Sequence, residues 1–86
     1  MWSIGFNRRG LSPERRPYTR ATLPAARDLL IDILDEAASC ARQSGHKDEA
    51  RALKTAQSRL VRVQPHELGE VRLTIGGYEY WIAQLH

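Results

Sequence analysis

The side chains that could do chemistry are one cysteine, three histidines, four closely spaced carboxylates and thirteen lysines and arginines. Cys40 could serve as a nucleophile. It falls, however, within an apolar run at helical spacing, where a thiol is expected to be buried and inert. His46, His66 and His86 could bind a metal or carry protons. They fall in a helix link, in a turn and at the last position, and read as surface residues. Asp28, Asp32, Asp35 and Glu36 could hold a cation or mimic a nucleic acid. No alternating acidic calcium loop accompanies them, and at helical spacing they read as a solvated face; a second reading pairs them loosely with the arginine arm. The spacing places no acid–base pair and no nucleophile–base pair. The chain is therefore read as non-enzymatic, with no metal and no cofactor.

Two sets of residues remain as binding candidates. The first is basic. Arg8, Arg9, Arg15, Arg16 and Arg20 crowd the N-terminal quarter. Lys47, Arg51, Lys54 and Arg62, with Arg59 at the edge, share the outer face of a helix. Guanidinium groups offer a rigid fork of donors suited to phosphates and carboxylates. The second set is Trp81 with Arg72. An indole beneath a guanidinium gains about 0.5–1 kcal/mol at an exposed site, and an exposed tryptophan is a frequent anchor for a protein partner.

The elements that must position these residues are legible in outline. Val71-Arg72-Leu73-Thr74-Ile75, Gly76-Gly77 and Tyr78-Glu79-Tyr80-Trp81-Ile82 read as two alternating strands joined by a two-residue turn that needs φ > 0. The turn sets Ile75 against Tyr78, Leu73 against Tyr80 and Val71 against Ile82 on one face. Arg72 meets Trp81 on the other. Trp2, Ile4 and Phe6 alternate with Ser3 and Gly5, suggesting a short strand that extends the hairpin. Residues 8–21, with Gly10, Pro13 and Pro17, read as a loop or mobile arm.

Between these lie two helices. Thr22 caps the first, Pro24 sits in its first turn and Gly45 stops it, giving a span of 23–44. Ala26, Leu29, Leu30, Ile33, Leu34, Ala37, Cys40 and Ala41 form its apolar stripe. Asp48 is expected to cap the second, and Pro65 to end it by residue 64. Leu53, Ala56, Leu60 and Val63 form its inner stripe, with Ala52 alongside. The short link makes the pair antiparallel. The fold class is α+β: a two-helix antiparallel hairpin packed on a C-terminal β-hairpin, with the N-terminal segment as a third strand, (β)ααββ. Residues 1–21 form the strand and basic arm, and residues 22–86 one compact domain.

Composition sets the outer bounds. Eighty-six residues make one small domain with a thin stability margin. One cysteine excludes an internal disulfide and suits a reducing compartment. No run approaches a membrane span and no apolar signal core precedes Arg8 and Arg9, so the chain is expected to be cytoplasmic. The net charge of +3 is distributed in blocks: +4 over residues 1–21, −2 over 22–45, +3 over 46–64 and −2 over 65–86. The order strand, two helices, antiparallel strands resembles small basic ribonuclease toxins of bacterial toxin–antitoxin pairs. That family carries further C-terminal strands with basic or acid–base residues, whereas the last strand here ends at His86, so the likeness is one of architecture.

The functional expectation is a small binding protein that docks on a larger protein or nucleoprotein complex and modulates or inhibits it, of the phage or mobile-element, anti-defence type. The alternative is direct binding of nucleic acid by the helix face and arginine arm. A homodimer burying Ile31, Val61 or the outer sheet face is a third outcome.

Overall fold

The computed structural model describes residues 1–8, 18–64 and 68–85. Arg9, Arg15, Arg16, His66 and His86 lie outside the described residues. The elements run β1 (Trp2–Arg8), β2 (Tyr18–Arg20), α1 (Leu23–Gln43), α2 (Lys47–Arg62), β3 (Val71–Ile75) and β4 (Tyr78–Gln84). The four strands form one antiparallel sheet in the order β2-β1-β4-β3. The helical hairpin covers one face of it.

The diglycine turn sets the expected register. Ile75 pairs with Tyr78, Leu73 with Tyr80, Arg72 with Trp81 and Val71 with Ile82. Gly76 and Gly77 have φ of 60° and 81°, the left-handed region that favours glycine. At Gly76 a side chain also stands close by. A Cβ there would overlap the Glu49 carboxylate, which lies against the turn from α2.

The N-terminal strand forms as expected, but it lies inside the sheet, between β4 and β2. Ile4 pairs with Ile82 on one side and Tyr18 on the other. Tyr18–Arg20, expected as part of a loop, is a fourth strand. Ser3 and Ile4 supply the open edge that orders it. Three residues are too few for strand propensity to be visible in sequence.

Helix α1 has the expected ends. Thr22 Oγ1 accepts a bond from the Ala25 N–H at 3.4 Å. At the other end, the Gly45 N–H bonds Arg42 O at 3.1 Å and the His46 N–H bonds Ala41 O at 2.8 Å. With Gly45 at φ 82°, this is a Schellman close. Helix α2 starts one residue before Asp48. Its cap is His46, whose carbonyl accepts from the Ala50 N–H at 3.0 Å without a side-chain cap bond. Asp48 therefore lies in the first turn, where its charge complements the helix dipole. The Schellman close consumes the linker, leaving no room for Asp48 as a separate cap.

The core lies between the layers. Ile4, Leu30, Leu34, Leu53 and Ile82 are its large, fully buried side chains, each contributing roughly 1.5–3 kcal/mol of burial. From α1 the buried residues are Ala26, Leu30, Leu34, Ala38 and Ala41. This stripe is rotated from the expected one, leaving Cys40 exposed rather than buried. The apolar arc of α1 is wider than the contact it makes. Leu29, Ile33 and Ala37 on that flank are only half-buried, and Cys40 lies at its end.

Candidate functional site

Helix α2 carries the basic face. Its buried side is Ala50, Leu53 and Leu60, so Lys47, Arg51, Arg59 and Arg62 are turned to solvent, all exposed. Arg51 and Arg62 lie about 16 Å apart along the axis. Among the described residues, no ion pair engages these four bases. Lys54 differs. Expected on the outer face, it is half-buried and pairs with Asp35 of α1. Gln57 continues this bridge, accepting from Lys54 Nζ at 3.3 Å and donating to Ile31 O at 3.3 Å. The hydrogen bond from Lys54 holds the Asp35 carboxyl below its ordinary pKa, aided by Gln57 and the Lys54 charge. Asp35, read from sequence as part of a solvated face, thus ties the two helices together.

Of the other proposed residues, those described, Arg8, Arg20, Arg72 and Trp81, do not gather at this face. Arg8 pairs with Tyr78 at one end of β1, and Arg20 with Trp2 at the other. Arg72 and Trp81 lie on the uncovered sheet face. The molecule is a slab 15 Å thick in its shortest direction. The helices cover the sheet face opposite Trp81 and α2 turns its buried side to that layer, so Trp81 and the α2 bases lie on opposite sides. Nor does the indole stack on the Arg72 guanidinium among the described residues. It lies across Gly5, where a Cβ would come within 2.6 Å of Trp81 Cζ2. Gly5 is thus the floor on which the ring rests. Neither Trp2 nor Phe6 covers it, because both belong to the opposite face.

A feature not singled out from sequence is a groove of about 1070 Å³ where the helix link overhangs the sheet. Along α1 the core-facing side chains change from leucine to alanine after Leu34, which leaves space between helix and sheet. Aromatic rings from the sheet face that space. Phe6 and Tyr80 stack there with centroids 6.2 Å apart. Burial pushes the Tyr80 phenol up to about 12, with the Glu49 and Tyr78 charges adding to the effect.

No family model, curated protein or solved structure matches this chain. Its chemistry must therefore be read from the surfaces themselves. Cys40 and His46 both line the groove, but among the described residues no hydrogen bond joins their side chains. Among the described residues, no three metal-ligating side chains cluster. No helix there is long and apolar enough to cross a membrane.

The signal for the groove was present but spread out. It required Phe6, Tyr18 and Tyr78 to meet from three strands, and Tyr18 belongs to the strand that sequence did not show. Arg27 has a role that its position in the sequence does not signal. Its Nη1 donates to Val63 O at 3.0 Å, satisfying a carbonyl at the end of α2.

Proposed function

We propose that this protein is a non-enzymatic binding module that docks on a larger protein or nucleoprotein complex and modulates or inhibits it. The type is that of phage and mobile-element anti-defence proteins. The supporting observation is the outer face of α2, where Lys47, Arg51, Arg59 and Arg62 are exposed and, among the described residues, free of ion pairs. Such a face binds a complementary acidic surface chiefly by steering and by charge-assisted bonds made at contact. The bases are spaced along one side of an already formed helix, so little backbone ordering is required on binding.

The test is affinity capture from the source cells with wild-type protein and with an Arg51→Glu, Arg59→Glu, Arg62→Glu variant. These residues are exposed, so circular dichroism should show the fold retained. Wild type should retain one defined complex and the variant should lose it. Equal capture by both would refute docking through this face.

The same bases support a second reading, direct binding of nucleic acid. It requires affinity for generic duplex or single strand that falls steeply with salt. Absence of a gel shift at low salt would dismiss that reading and leave docking on protein in place.

A further inference from the structure

We infer that the groove between the helix link and the sheet is a binding site for an arginine- or lysine-bearing segment of a partner polypeptide. The site is separate from the basic face of α2 and does not rest on it.

Three observations carry this. The first is exposed aromatic surface concentrated in one place. Phe6, Tyr18 and Tyr78 are 45%, 48% and 40% exposed, and all three line the groove. They come from β1, β2 and β4, so the sheet gathers them. Large apolar surface left in water at a concave site marks a contact surface. The second is size. About 1070 Å³ lies just above the range of small-ligand pockets, and the space is partly open to solvent, which leaves room for a peptide segment.

The third is charge. Among the described lining residues the charged side chains are Glu36, Asp48 and Glu49, with no lysine or arginine. This is against the trend of a chain with net charge +3. Aromatic faces and carboxylates attract the same group, a cation on an aliphatic stem. The ring quadrupole holds the charge, the carboxylate pairs with it, and the stem lies along the apolar floor. An acidic segment would meet repulsion at Glu36 and Asp48. A purely apolar one would gain nothing from these carboxylates.

The test uses a labelled oligopeptide of alternating arginine and glycine, followed by fluorescence polarisation against the full chain. Glutamate–glycine and tyrosine–glycine oligomers are the controls. The positive net charge of the protein disfavours stray attraction of the arginine probe. The arginine oligomer should bind more tightly than either control. Tyr78→Ala or Tyr18→Ala should each weaken it about two- to fivefold. Glu36→Gln with Asp48→Asn should weaken it further and flatten its salt dependence. The Arg51→Glu, Arg59→Glu, Arg62→Glu variant should retain the site, which separates failure here from failure of the proposed docking face.

No binding of the arginine oligomer, equal binding of a control, or affinity unmoved by the groove variants would overturn the inference. A doubled mass in solution that Tyr78→Ala abolishes would assign the groove to a second copy instead. Tighter probe binding after Arg9→Ser, Arg15→Ser and Arg16→Ser would assign it to the chain's own arginines. Either result would contradict a partner segment as occupant.

Discussion

The Glu49 carboxylate lies against the hairpin turn at Gly76, and this contact makes the two turn glycines unequal. Alanine at either position must adopt φ > 0, at about 1–2 kcal/mol. At Gly76 it must also displace Glu49, whereas nothing lies within 4 Å of a Cβ at Gly77. Gly76→Ala should therefore lower the urea midpoint more than Gly77→Ala, and Glu49→Ala should rescue part of the difference. Equal midpoints would show that Glu49 does not press on the turn. Tyr80 gives a pH prediction. Its phenol titrates near 12 in the fold and near 10 in the unfolded chain. Between those values the folded state holds a proton the unfolded state has lost, so stability falls as pH rises from about 10 to 12. Tyr80→Phe should flatten that fall, and phenolate absorbance should show one late-titrating tyrosine. At the acid end, Asp35 works in the opposite sense. Its depressed pKa means that its contribution is present above the ordinary carboxylate pKa and is lost as pH falls through the folded value. What sequence hid at this scale was partner choice. Trp81 opposite Arg72 was legible because register is fixed by two glycines. That the ring would settle on Gly5, or Lys54 on Asp35, depends on how separate elements meet.

At the scale of elements, the hairpin and both helices were legible because each carries its own local signals. Gly76-Gly77 marks the turn, Thr22 and Pro24 open α1, and Gly45 closes it. β2 carries no such signal. Tyr18-Thr19-Arg20 is a strand because Ser3 and Ile4 offer it an edge, so it exists only once β1 is placed. The facing of α1 was half-legible. Eight apolar residues define a broad arc, and only packing decides which part of it meets the sheet. That choice is testable. Leu34 is fully buried and Cys40 is exposed. Leu34→Ala should cost about 2–5 kcal/mol, while Cys40→Ala should change stability by less than about 0.5 kcal/mol. Comparable losses from both, measured by urea unfolding, would mean that α1 is rotated from the facing described.

At the scale of the whole molecule, the slab separates its charges by place. The outer side of α1 carries exposed Asp28, Asp32, Asp35 and Glu36, and that of α2 carries exposed Lys47, Arg51, Arg59 and Arg62. The block pattern along the chain forecast this segregation, since each helix falls within one block. Sequence could not forecast that Trp81 would face away from the α2 bases, because which side of the sheet the helices cover depends on assembly. A partner contacting one flat face of the slab therefore meets either the bases or the indole. A photo-crosslinking residue placed in turn at Thr55, between Arg51 and Arg59, and at Thr74, on the uncovered sheet face, distinguishes the two in the source cells. Both positions are exposed. Docking through α2 requires one defined partner crosslinked from position 55 and none from position 74. Crosslinks from position 74 alone would contradict it.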